Sequence, residues 1–194
     1  AGAATVNSGW GEGVDVLPAS PGLIDREADP RDEEAALRLH RALSTLADGY
    51  HHVIIDCAPS LGPTTRSGLA AADGLLMVVE LSALSIRGAD AVMACAYDVG
   101  RSLNPSLDLF GVIVNRAPAN SAEARRQTEE LERHMGVRSV WEPFVPQRTV
   151  LNEAVGLRAP LHDLGYRARD SVAVFDELYA RLNEAGAREA AEVA

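Results

Sequence analysis

Three short apolar runs limit what this chain can fold into. They are Val53-Ile54-Ile55, Leu75-Leu76-Met77-Val78-Val79 and Leu109-Phe110-Gly111-Val112-Ile113-Val114. None alternates with polar residues and all are rich in β-branched or large aliphatic side chains, the pattern of strands buried on both faces. Stretches with helical spacing lie between and after them, so strands and helices alternate from residue 30 to 185. That alternation predicts an α/β fold: a mostly parallel sheet with helices on both faces.

The first run ends in a carboxylate, Asp56, and Pro59 and Gly62 break the chain just beyond it. Ligands of open parallel sheets bind outside the carboxyl ends of the strands. An acid there can reach a magnesium ion held by nucleotide phosphates, which is the form of a Walker B element. The plainer reading is that Asp starts a turn or caps the following helix. The third run ends in Asn115-Arg116. An Asn amide donates and accepts at once, matching the paired edges of adenine, and it is equally a turn former.

Composition narrows the choices. All 18 basic residues are Arg, and no Lys occurs in the 194 residues. Phosphate-binding P-loops set a lysine ammonium on the β- and γ-phosphates, so this chain holds no ordinary P-loop. A formal charge of −10 argues against coating nucleic acid by bulk electrostatics, although it allows a local basic patch. Cys57 and Cys95 form neither a metal spacing nor a disulfide framework, and a reducing cytoplasm is the simplest home. His40, His51 and His52 lack ligand-type spacing. No run approaches the length of a membrane span, so no membrane partner is expected.

Turn, cap and stripe signals organise the rest of the chain. Asn7 to Gly13 is a polar loop, and Val14 to Leu17 is a brief strand stopped by Pro18. Asp29-Pro30 starts a helix with the stripe Ala36, Leu39, Leu43 and Leu46, ended by Gly49. Thr64 to Ala72 is a short helix. Ser85 caps a longer one striped by Ile86, Ala89, Met93, Ala96, Val99 and Leu103, and Asn104-Pro105 closes it. Asn120 or Ser121 caps a helix striped by Ala124, Thr128, Leu131 and Met135, which Gly136 ends. Val137 to Trp141 is a short strand. The final helix buries Val172, Phe175, Leu178, Tyr179 and Leu182 and exits at Asn183 to Gly186, leaving 186–194 as a polar tail.

Several strings together carry a family resemblance. Asp56-Cys57-Ala58-Pro59-Ser60-Leu61-Gly62 resembles the Asp-Cys-Pro-Pro-Ser-Leu-Gly segment of ParA-type partition ATPases, relatives of MinD, with Ala58 for the first proline. Gly13-Val14-Asp15-Val16-Leu17-Pro18-Ala19-Ser20 is similar to the family's text. Ala1-Gly2-Ala3-Ala4-Thr5 resembles the small-residue run after its Asp-Pro-Gln switch motif. Asn115 looks like the adenine-reading Asn. Val145 to Ala154 is similar to Ile-Pro-Arg-Asn-Val-Arg-Leu-x-Glu-Ala, with Gln147 and Val150 replacing both arginines and Arg148 new. Arg87-Gly88-Ala89 stands where Glu-Gly-Leu is frequent, and Gly156 to Leu161 resembles the Phe-Gly-Lys-Pro-Val loop.

The resemblance implies a P-loop NTPase fold over residues 1–185 without its first strand and phosphate loop, which are expected upstream of Ala1. The cofactors implied are ATP and Mg2+. Asp56 would be the catalytic, metal-binding carboxylate, with Asn115, Arg116, Pro146 and Gln147 around the adenine. The family forms an ATP-bound homodimer, binds DNA non-specifically and answers to a ParB-type partner in chromosome or plasmid segregation, in the bacterial cytoplasm at the nucleoid. Here DNA binding is expected to be weak, carried by Arg148, Arg158, Arg167 and Arg169. The chain alone is expected to be inactive. Two alternatives stay open: an ATP-free interaction module, and a metabolic P-loop enzyme such as an amidoligase.

Overall fold

The computed structural model describes residues 5–10, 13–28, 33–46, 49–118 and 122–193, with side chains to residue 188. The chain divides into two units, residues 1–73 with 92–107, and residues 74–91 with 108–194. The expected helix start at Asp29-Pro30, the cap at Asn120 or Ser121 and the run Ala1 to Ala4 lie outside the described residues.

The second unit holds the sheet. β3 (Gly74–Val79), β4 (Asp108–Val114) and β5 (Val140–Trp141) pair in that order, all parallel. A register shift between Leu75 and Leu76 leaves Phe110 as the extra residue of β4. Its ring lies where a side chain on Gly74 would go, and the indole of Trp141 lies where one on Gly111 would go. Both glycines are thus required by close approach of an aromatic ring. The ladder runs on beyond the strands: Asn115 N–H donates to Val79 O at 2.8 Å, and Val145 N–H to Val114 O at 2.9 Å.

Trp141, Val145 and Leu178 form a buried cluster, with Phe110, Ile113, Leu151 and Leu182 packed against it. α5 (Ala122–Met135) buries the expected Ala124 and Leu131, and Gly136 ends it with φ +88°. Leu131 is fully buried, which contributes ~1.5–3 kcal/mol. α6 (Thr149–Leu157) and a 3-10 helix (Leu161–Ala168) lead into α7 (Arg169–Val193).

α7 differs from expectation in two ways. It buries Ser171 and Leu178, with Val172, Val174 and Leu182 half-buried beside them, while Phe175 and Tyr179 are exposed, because the helix is turned to set Val174 and Leu178 against Trp141. It also continues to Val193 instead of exiting at Asn183 to Gly186. A lone Gly186 costs only ~1 kcal/mol in a helix, and the Ala- and Glu-rich sequence beyond favours continuation.

The first unit begins with a hairpin, β1 (Val6–Asn7) antiparallel to β2 (Asp15–Val16), where the sequence predicts a polar loop from residue 7. A 3-10 helix (Pro21–Ala28) follows. The expected helix through residue 46 is two pieces, α1 (Glu33–Ala36) and α2 (Arg38–Leu43), divided at Leu37 where ψ opens to 0°. α3 (Pro63–Ala71) buries Thr65, Gly68, Leu69 and Ala70. Asn104 Nδ2 donates to Leu69 O at 3.1 Å and Ala72 O at 2.7 Å, satisfying carbonyls that the end of α3 leaves open.

α4 (Ala83–Ser102) is divided between the units and buries Ile86, Ala89, Ala96 and Val99 as its periodicity predicts. Its cap is Ser82, whose Oγ accepts the Ser85 N–H at 3.1 Å. Ser85 instead accepts the Glu80 N–H, also at 3.1 Å, an exchange like that of a capping box.

The largest departure concerns Val53 to Ile55. Among the described residues they join no ladder, and Val53 is 45% and Ile54 81% exposed. A strand needs a neighbour to satisfy its backbone, and none of the described segments supplies one.

Candidate functional site

The sequence-derived site residues fall in both units. Asp56 belongs to the first. It is exposed, and the turn after it is held by Thr65, whose Oγ1 donates to Ser60 O at 2.6 Å and lies 3.3 Å from Ala58 O. Pro63 opens α3 immediately beyond. The carboxylate is thus carried on a segment whose far end is fixed to a helix start.

Cys57 follows, and its Sγ lies 2.8 Å from where a Cβ would stand on Gly68, so the sulfur is covered although the residue as a whole is exposed. That cover, with the Asp56 charge, raises the thiol pKa above its ordinary value.

Among the described residues no three His, Cys, Asp or Glu side chains converge as a metal site. A lone exposed carboxylate such as Asp56 is the kind of protein ligand magnesium takes when it draws its other ligands from water and phosphate.

Asp56 and Cys57 also border a groove of about 1050 Å3 within the first unit. Leu39, Leu43 and Leu46, expected as packing, are only half-buried because they line it, together with Val53 and Ile54.

In the second unit the structure brings four candidates together. Ala117 and Pro146 pair as a parallel bridge, Ala117 N–H donates to Val145 O at 2.9 Å, and Gln147 N–H to Ala117 O at 3.4 Å. The loops Asn115-Arg116 and Pro146-Gln147 are therefore adjacent at the carboxyl end of β4. Asn115 is half-buried, and its Oδ1 accepts the Arg116 N–H at 2.9 Å. Its Nδ2 has no partner among the described residues, so both amide N–H donors and a second carbonyl lone pair remain for a ligand.

Arg116 takes a left-handed φ of +50°, at a cost of ~1–2 kcal/mol for a residue with a Cβ. Its Nη1 stands 3.3 Å from Glu80 Oε1. Sequence reasoning misses Glu80, yet the signal is there: it is a carboxylate directly after a buried run, as Asp56 is. Both side chains of this pair are largely exposed, so it contributes little, ~0–1 kcal/mol.

The four arginines assigned to nucleic acid are all exposed. Arg148 and Arg158 flank α6, ~14 Å apart along a nine-residue helix, so they stand at its opposite ends rather than clustered. Arg158 is the left-handed C-cap, and Arg167 pairs with Glu153 at 3.0 Å. Among the described residues no helix is long and apolar enough to cross a membrane.

The adenine end of an ATP site fits the residues present. The phosphate end does not, because the chain has no lysine to meet a triphosphate.

Comparison with known proteins bears on both units. The family described as "AAA domain" matches residues 3–109. The chromosome-partitioning ATPase Soj of Thermus thermophilus is 32% identical over 143 residues, covering 74% of this chain and 55% of that protein.

Among solved structures, cobyrinic acid a,c-diamide synthase from Mycobacterium smegmatis with bound ADP and magnesium has a TM-score of 0.64 at 29% identity, covering 76% of this chain and 59% of that one. Apo McdA of Cyanothece, with a TM-score of 0.74 at 18% identity over 87% of this chain and 68% of that one, shares the fold. The chain spans about half the length of the curated relatives it matches. By the matched family and these relatives, the chain belongs to the ParA/MinD-type partition ATPases.

Proposed function

We propose that this chain is the magnesium- and adenine-binding part of a ParA-type ATPase acting in chromosome or plasmid partitioning. The observation that carries the reading is the adjacency of Asn115 and Pro146 through the Ala117–Pro146 bridge, with the Asn115 amide still able to donate. Asn115 would donate to a ring nitrogen of adenine while the backbone of Arg116 and Gln147 and the ring of Pro146 border the base. Asp56 would hold magnesium through water and is the residue on which turnover depends.

Bound ATP and magnesium would supply the electrophilic phosphate, and catalysis of its hydrolysis rests on positioning and electrostatics. By the same reading the intact protein forms an ATP-dependent homodimer, binds DNA non-specifically and is stimulated by a ParB-type partner at the bacterial nucleoid. This chain's share of DNA binding is weak, because its exposed arginines are dispersed or paired.

An amidoligase is the second reading, favoured by the likeness to cobyrinic acid a,c-diamide synthase. The ATP-free interaction module is the third. Titration with ATP analogues in the presence of DNA, and separately of an acid substrate with an ammonia donor, tests all three. The partition reading expects DNA retention that depends on ATP and is lost on hydrolysis. ATP consumption coupled to amide formation would replace it with the second reading. Absence of any adenine-nucleotide binding by the intact protein would replace it with the third.

A further inference from the structure

β3 and β4 end side by side, and each delivers a charged residue just past its last pairing. Glu80 follows β3 and Asn115-Arg116 follows β4, with the ladder continued by the Asn115 N–H on Val79 O. The backbone of residue 80 is fixed twice. Its N–H donates to Ser85 Oγ at 3.1 Å, and its carbonyl accepts the Ser82 N–H at 2.8 Å. The carboxylate is therefore presented from an anchored turn, and it meets the Arg116 guanidinium with Nη1 3.3 Å from Oε1. Sheet order sets the direction of that pull. β4 lies between β3 and β5, so Glu80 draws the guanidinium to one flank of Asn115 while Pro146 and Gln147 stand on the other.

Base chemistry gives this placement a consequence. Adenine offers the N6–H2 donor beside the N7 acceptor, and guanine offers two acceptors there, O6 and N7. An Asn amide both donates and accepts, so it matches the first edge and sets its carbonyl oxygen against O6 of the second. A guanidinium has the opposite preference, since it only donates and pairs bidentately with O6 and N7. The loop after β4 carries both kinds of reader on consecutive residues. A free Arg116 beside the base would favour guanine and oppose Asn115.

We infer that Glu80 is a positioning residue for base selection: it holds the Arg116 guanidinium on the β3 side, so that Asn115 alone reads the base and guanine is disfavoured. The inference rests on the nucleotide reading above and adds to it a residue that acts through Arg116. Both side chains are largely exposed, at 65% and 54%, so the hold is modest. A fivefold change in relative affinity is ~1 kcal/mol, the ceiling for such a pair.

The test compares ATP and GTP affinities of the 194-residue chain through the saturable amide shifts of Asn115, Arg116 and Gln147. Glu80→Gln, which keeps the size and removes the charge, should lower the ATP-to-GTP affinity ratio about two- to fivefold, through tighter GTP binding. Adding Arg116→Ala to Glu80→Gln should return the ratio to at least the wild-type value, a rescue that damage to the turn would not allow. Inosine triphosphate, which keeps O6 and N7 and lacks the guanine amino group, should gain from Glu80→Gln as GTP does.

An unchanged ratio in Glu80→Gln, with ATP still saturating at Asn115, overturns the inference and leaves the nucleotide reading standing. So does a lowered ratio that Arg116→Ala does not restore. A gain for GTP without one for inosine triphosphate overturns it too, because the contact would then lie on the amino group. If neither nucleotide shifts these amides saturably in the wild type, the nucleotide reading falls and the inference falls with it.

Discussion

Ala117 and Pro146 pair as a parallel bridge three residues beyond the end of β4, and this pairing sets the loop after β4 beside the loop after β5. The backbone thereby brings Asn115 and Gln147 into one neighbourhood although 31 positions separate Asn115 from Pro146. The Asn115 side chain has a local duty as well, accepting the N–H of the left-handed Arg116. Asn115→Ala should therefore destabilise the chain by ~1 kcal/mol, and Asn115→Asp, which keeps the acceptor, by less. Urea unfolding of the two variants beside the wild type checks the order.

Glycines separate packing from propensity. Gly111→Ala would drive a methyl into the indole of Trp141, inside the cluster with Val145 and Leu178, and should cost ~1–3 kcal/mol. Gly88→Ala on α4 meets nothing within 4 Å and should stabilise by ~0.5–1 kcal/mol through helix propensity. Thermal unfolding of both should show shifts of opposite sign.

Asn104→Ala removes both hydrogen bonds to the carbonyls of Leu69 and Ala72. The end of α3 then has no replacement donor, and a loss of ~1–3 kcal/mol is expected. Hydrogen exchange in the last turn of α3 should quicken by more than elsewhere in that helix.

Cys57 gives a pH dependence. Cover by Gly68 and then the Asp56 charge raise its pKa, so the folded state holds the thiol proton more tightly than the unfolded state. The stabilising contribution is complete below the unfolded-state pKa and is lost as pH rises through the folded-state value. The half-point of the rate of alkylation at Cys57 should lie at higher pH than in a free cysteine peptide. Asp56→Asn should lower it part of the way, because the covering remains.

The architecture is legible where a run can satisfy itself. The strands at 75–79 and 109–114 and the buried stripes of α4 and α5 follow from periodicity, since their partners lie within the chain. Val53–Ile55 departs from its pattern because pattern reports what a segment is suited to, and pairing requires a neighbour that the described chain does not provide. The line Phe175, Tyr179 on α7 departs for a related reason. Aromatic residues lie near the stripe, and only the place of Trp141 decides that Val174 faces inward. Of the candidate site, strand ends and family strings are what nominate Asp56, Asn115 and Pro146. The Glu80–Arg116 pair and the groove depend on side-chain placement.

The most direct test of the nucleotide reading is amide chemical-shift mapping of the isotope-labelled chain during titration with ATP and, separately, GTP. Asn115, Arg116 and Gln147 should shift saturably with ATP and much less with GTP, because the Asn115 amide matches the adenine edge. Asp56 and Cys57 should respond only when magnesium is present. Equal responses to both nucleotides, or shifts confined to residues away from Asn115 and Gln147, would contradict the account.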